Sequence, residues 1–121
     1  MPLRWSSIVI DCDDTEKVAR FWSQALNLPL NGPEHGEWWL EPGGNHPDLL
    51  FQKVPEAKSG KNRIHLDLRP EDQYVEVERL IGLGARRIDI GQKDVSWVVL
   101  ADPEGNEFCV LRPRPETATS G

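Results

Sequence analysis

Ser96-Trp-Val-Val-Leu-Ala-Asp102-Pro-Glu-Gly-Asn106-Glu-Phe-Cys-Val-Leu-Arg112 is the stretch on which the architecture turns. Two apolar runs flank Asp102 to Asn106. Pro103 presets φ near about −65°, and Gly105 can take the positive φ that a tight reversal needs. The spacing predicts an antiparallel hairpin. An earlier copy exists: at a spacing of 61 residues, Glu41-Pro42-Gly43-Gly44-Asn45 lies over Asp102 to Asn106, with Trp38-Trp39-Leu40 ahead and Leu49-Leu50-Phe51 behind. Two copies of one hairpin imply a chain built from two similar halves.

Working outward, each half spells the same order. In the first, 5–12 is apolar and β-branched through Ile8-Val9-Ile10 and predicts a strand. Asp13-Asp14-Thr15 supplies a helix N-cap, and Val18, Phe21, Trp22, Ala25 and Leu26 form one apolar stripe that Pro29 stops. A short strand is expected over 28–30, then a Gly/Pro-rich loop over 31–36, and hairpin strands over 37–41 and 48–54. The polar segment 55–62 is the expected linker. In the second half, 63–69 alternates, with Ile64, Leu66 and Leu68 on one face and His65, Asp67 and Arg69 on the other. A helix is expected from about Pro70, turning Val75 or Tyr74, Val77, Leu80 and Ile81 inward and ending at Gly82/Gly84. A strand over 86–90 and the hairpin follow, and 114–121 is expected to be a disordered tail. A shift of 58 puts Asp14 on Asp72 and Ser7 on His65.

The expected fold class is α+β: two β-α-β-β-β modules, about 1–55 and 62–113, in one domain spanning 1–113. Their curved, half-barrel mixed sheets are expected to enclose one pocket, because neither half can bury both its helix and its sheet alone.

The chain of 121 residues is 38% hydrophobic and 28% charged, the balance of a globular protein. A net charge of −6 argues against nucleic acid, because the cations are too few and scattered to form a phosphate-binding stripe. No apolar run nears the roughly 20 residues that span a bilayer, and the first residues lack a signal-peptide core, so the expected location is cytoplasmic with no membrane partner. Cys12 and Cys109 lie inside apolar strand patterns without metal-type spacing, which favours reduced, buried thiols.

The strand-helix bearing Asp14 and Phe21-Trp22, the run Arg63-Ile64-His65-Leu66-Asp67-Leu68, and Asp102-Pro103-Glu104-Gly105-Asn106 followed by Phe108-Cys109-Val110-Leu111 resemble the glyoxalase/bleomycin-resistance/dioxygenase (vicinal oxygen chelate) superfamily, and within it the glyoxalase-like domain proteins. The resemblance implies a homodimer and a small-molecule ligand. It also implies a divalent metal held by one side chain from each of the first, fourth, fifth and eighth strands. Carried over residue by residue, those positions fall on Ser7, on Gln52 with Leu50 sharing its face, on His65 and on Cys109. Serine and glutamine are weak donors, so the full metal site is expected to be missing, and with it metal-dependent glyoxalase I or dioxygenase activity. If a cofactor is held at all, it is a divalent ion on Gln52, His65 and Cys109.

His65 and Asp67 are the candidate catalytic pair, an imidazole and a carboxylate two apart on one strand face, suited to general acid–base work. The competing reading gives them fixed structural bonds. Ser7, Asp11, Trp38, Gln52, Arg69, Trp97 and Cys109 are the candidate ligand contacts: Asp11 at the rim opposite Arg69, tryptophans as stacking walls, and Cys109 as an inert thiol unless a neighbour activates it. Trp38 and Trp39 must face opposite ways, so one of them lines the pocket. His35 is expected to be a solvated loop residue, and His46 a turn residue without chemistry. The expected function is binding of a small oxygen-bearing metabolite with lyase or isomerase proton transfer through His65. The alternative is a non-catalytic sequestering protein of the bleomycin-resistance kind, whose acidic residues complement a cationic drug.

Overall fold

A computed structural model of the chain describes residues 3–56, 58–89, 91 and 95–114. The chain divides into two compact units, 1–58 and 59–121. Each carries one helix and an open, four-stranded mixed sheet. Among the described residues, no helix is long and apolar enough to cross a membrane.

In the first unit the elements are β1 (Ser7–Cys12), α1 (Thr15–Leu26), β2 (Asn31–Glu34), β3 (Glu37–Leu40) and β4 (Asp48–Lys53), in the sheet order β1-β4-β3-β2. β1 runs parallel to β4 along its whole length, Ser7 opposite Asp48 through Cys12 opposite Lys53. α1 begins where Asp14 accepts the Lys17 backbone N–H and ends at Asn27 in the left-handed conformation. It buries Val18, Phe21, Trp22 and Ala25 of the expected stripe and adds Ala19, while Leu26 at the end of the helix is only half-buried. Beneath it lie Leu40, Leu49 and Phe51, all buried. Strand alternation leaves Ser7, Val9 and Asp11 exposed on the other face, with Val9 at 47%.

One boundary differs from expectation here. The strand expected over 28–30 lies three residues later, inside the Gly/Pro-rich segment 31–36. β2 contains Gly32-Pro33, a pair that argues against a central strand. As an edge strand, however, it can spare the proline N–H. Gly32, at φ +115°, sits where a Cβ would be 2.8 Å from the Glu37 carbonyl oxygen, so the irregular register of β2 against β3 depends on glycine.

The second unit repeats the plan with β5 (Leu66–Leu68), α2 (Gln73–Leu83), β6 (Arg86–Arg87), β7 (Val98–Ala101) and β8 (Glu107–Val110), ordered β5-β8-β7-β6. β5 is parallel to β8 and much shorter than the expected 63–69. Its partner sets the limit: β8 begins at Glu107, after the turn over 102–106, so residues ahead of His65 have no strand to pair with, and Asn62 instead donates its backbone N–H to Glu107 Oε1 at 2.7 Å and its side chain to the Glu107 carbonyl at 3.3 Å. Ile64 consequently stands 83% exposed instead of facing inward.

α2 starts after Asp72, which accepts the Val75 N–H at 3.1 Å, and not at Pro70. The later start sets the helix phase. Gln73, Val77 and Leu80 share the inner face, and Gln73 Nε2 donates to the carbonyls of Ser96 and Val110. Tyr74 and Val75 therefore point outward, against expectation. β6 is shorter than anticipated, and Ile90 and the tail 115–121 lie outside the described residues.

Candidate functional site

The site is built on the rungs that join β5 to β8. Asp67 is the ladder partner of Cys109, so parallel pairing puts carboxylate and thiol side by side on one face. His65 precedes β5 where the chain has left the ladder, and its Nε2 stands 3.2 Å from Asp67 Oδ1. Imidazole and carboxylate are each about half exposed, at 47% and 51%, whereas Cys109 is buried. One donor atom from each of the three side chains falls within 4.8 Å of the others.

Burial pushes the Cys109 thiol up from its ordinary value. The Asp67 charge and the hydrogen bond to Asp67 raise it further, against a smaller lowering by Lys61. The thiol therefore stays protonated at neutral pH and is not an activated nucleophile. Chemically, the arrangement is a half-exposed imidazole backed by a carboxylate whose other neighbour is a neutral S–H donor.

The remaining candidates are placed as follows. Arg69 follows β5, and its Nη1 donates to the Arg112 carbonyl at 2.8 Å. Ser7 and Asp11 occupy the exposed face of β1, with Asp11 paired to Gln52 and Val9 to Leu50. Trp97 is 40% exposed just before β7. Trp38, expected to wall a pocket, belongs to the helix-facing side: Arg20 of α1 stands 5.6 Å over its ring, and its ladder partner Phe51 is fully buried.

Trp39 takes the opposite face. With Glu34, His35 and Glu37 it lines an open groove of about 410 Å³ on the β2–β3 hairpin, and its indole N–H donates to Glu41 at 2.7 Å. Alternation alone had shown that the two tryptophans diverge; which of them α1 covers follows from the register of β3 on β4. Glu34 and Glu37 had no sequence signal beyond their charge.

The family's metal positions can be tested against this geometry. The β1 position carries a serine. The rung equivalent to Asp67–Cys109 is Val9–Leu50, which makes the β4 position leucine and sets Gln52 two rungs further along. Only His65 and Cys109 are good donors at the four positions, and the residues do not fit the family's four-strand site.

Residues 7–111 match the family model described as "Glyoxalase-like domain". No curated protein matches the chain by sequence. Among solved structures, a glyoxalase/bleomycin resistance protein/dioxygenase family enzyme from Burkholderia phytofirmans PsJN superposes with a TM-score of 0.71 at 18% identity, covering 93% of this chain and 100% of that one. An antibiotic binding protein from Streptomyces sp. CB03234 gives 0.65 at 19% identity, covering 93% and 97%. A glyoxalase-related enzyme from Fulvimarina pelagi gives 0.66 at 17% identity, covering 90% and 87%. These identities speak to the fold alone. With the repeated β-α-β-β-β order, the two mixed sheets and a family match over nearly all the described residues, the chain belongs to the glyoxalase-like domain family.

Proposed function

We propose that the protein binds a small oxygen-bearing metabolite and moves a proton on it through His65, the chemistry of a lyase or isomerase. The observation that supports this reading is the His65–Asp67–Cys109 cluster, in which a half-exposed imidazole is held by a carboxylate 3.2 Å away. His65 takes or returns the proton. Asp67 orients the ring, and Cys109, still protonated, fixes Asp67 from the other side. A ligand carbonyl or hydroxyl approaches from the open side of the imidazole.

The test begins with a thermal-shift screen of small hydroxy- and oxo-acids, since a ligand that favours the folded state raises its melting point. Hits are then followed by NMR for solvent deuterium exchange at the carbon beside the carbonyl. His65→Gln is expected to slow exchange by about 100-fold or more while leaving binding largely intact. Stabilising ligands that never exchange, in protein shown to be folded, would remove the catalytic reading.

A second reading is favoured by a different observation, the acidic and aromatic groove of Glu34, His35, Glu37 and Trp39. Two carboxylates beside an indole face suit a cationic, flat compound. The antibiotic-binding relative from Streptomyces lends the idea a precedent on this fold. In this reading the protein sequesters and nothing turns over. Calorimetry with cationic aromatic compounds decides it: binding lost in Trp39→Ala and kept in His65→Gln supports sequestration, and the reverse pattern rejects it.

A further inference from the structure

We propose that His65, Asp67 and Cys109 form a three-donor site for a thiophilic divalent cation, with zinc as the type, built entirely from residues of the second unit. This donor set differs from the family's. It omits the first and fourth strands, where Ser7 and Leu50 stand, and recruits Asp67 from the rung beside Cys109.

The spacing supports the inference. Tetrahedral zinc holds nitrogen and oxygen at about 2.1 Å and sulfur at about 2.3 Å, which sets its donors about 3.4–3.6 Å apart. His65 Nε2 and Asp67 Oδ1 already stand 3.2 Å apart, and no pair among the three donor atoms exceeds 4.8 Å. Closing on an ion therefore takes movements of roughly 1 Å, within the reach of side-chain rotation at half-exposed residues. The donor chemistry also selects the ion. One imidazole, one thiolate and one carboxylate suit zinc, whereas magnesium and calcium want shells of oxygen. Three protein donors leave a fourth tetrahedral position for water or a ligand oxygen.

On binding, the Cys109 S–H bond breaks, the sulfur keeps the electron pair and coordinates the cation, and the proton passes to solvent. No electron is transferred. The inference goes beyond proton transfer and competes with it, because a cation between His65 Nε2 and Asp67 takes the carboxylate that orients the ring in that reading.

The experiment uses the full chain freed of metal by a chelator, which is then removed, and titrates it separately with zinc, cobalt(II) and magnesium. The expected result is one zinc per chain, a raised melting temperature, proton release, and a thiolate-to-cobalt charge-transfer band in the near ultraviolet. Magnesium should give no response. Cys109→Ser should abolish the cobalt band, and Cys109→Ser and Asp67→Asn should each weaken zinc by more than about tenfold. Gln52→Ala should leave zinc affinity unchanged. Melting curves of the metal-free variants check that they fold; if Cys109→Ser does not, the wild-type cobalt band and the Asp67→Asn affinity decide. Sub-stoichiometric zinc, a wild-type cobalt complex without the thiolate band, undiminished zinc binding by folded Cys109→Ser, or a loss of affinity in Gln52→Ala would each overturn the proposal. The proton-transfer reading fails separately, on absent exchange by the metal-free protein, whatever zinc does.

Discussion

The two units run through the same order of strands and helix, yet they are held together differently and carry different chemistry. In the first, α1 buries six residues, Thr15, Val18, Ala19, Phe21, Trp22 and Ala25, and β1 pairs with β4 over six rungs. In the second, α2 buries only Val77 and Leu80, and β5 pairs with β8 over three. The second unit makes up part of the difference with polar contacts: Gln73 to two carbonyls, Asn62 to Glu107, and Asp102 to its own turn. The contrast is sharpest at matched positions. A shift of 58 lays Ser7 on His65 and Val9 on Asp67, and the ladder partners of the latter two are Leu50 and Cys109. A hydroxyl and two aliphatic groups in one unit thus stand where the other has imidazole, carboxylate and thiol. A duplicated backbone can concentrate reactive groups in one copy while the matched positions of the other carry unreactive side chains.

The turns teach the same lesson. Asp102 is fully buried, and its Oδ1 accepts the backbone N–H groups of Glu104 at 3.0 Å and Asn106 at 2.9 Å. Glu41, at the matched position, carries one more methylene and is exposed, and its carboxylate takes the Trp39 indole N–H. The shorter side chain folds back onto its own turn; the longer one reaches away.

Substitutions at matched places put this asymmetry at risk. The largest effect is expected in the cores: Trp22→Ala should cost about 3–5 kcal/mol and Leu80→Ala about 2–3 kcal/mol in urea denaturation, and equal losses would deny that the first helix is the better anchored. Asp102→Ala should cost about 2–3 kcal/mol by removing a buried carboxylate and the acceptor of two half-buried N–H groups, while Glu41→Ala stays within about 0.5 kcal/mol. Comparable values would make the two turns equivalent after all. Where the units agree, so should the mutants. Asp14→Ala and Asp72→Ala each remove an N-cap and should each cost about 1 kcal/mol, seen as matching shifts in the denaturation midpoint.

The smallest expected effect is a slope with pH. Because the folded protein holds the Cys109 proton more tightly than the unfolded chain, unfolding releases it once pH passes the ordinary thiol range, about 8.5. Stability from this group is fully present below that range and declines above it. Cys109→Ser should flatten that alkaline decline, whereas Leu50→Val, at the matched rung of the first unit, should leave it as in wild type. Melting curves between neutral and alkaline pH check both.

The repeated hairpin, the Asp14 N-cap, most of the buried stripe of α1 and the pairing of His65 with Asp67 were all readable in residue order, because each depends on neighbours a few positions apart, whereas the Asp72 cap was hidden behind Pro70, itself a favoured first-turn residue. The period of a strand or helix and the geometry of a turn are local properties. What residue order left open was set by contacts between distant segments. The late start of β8 limits β5 to three rungs, and Asn62 ahead of it engages Glu107, 45 positions away. Edge placement lets Gly32-Pro33 form a strand. The β3–β4 register turns Trp38 under Arg20 and leaves Trp39 open. The rung that brings Cys109 beside Asp67 joins strands 42 residues apart. Side-chain alternation shows that two residues differ in direction, but which direction is buried depends on what packs there, and that is a property of the assembled sheet and helix.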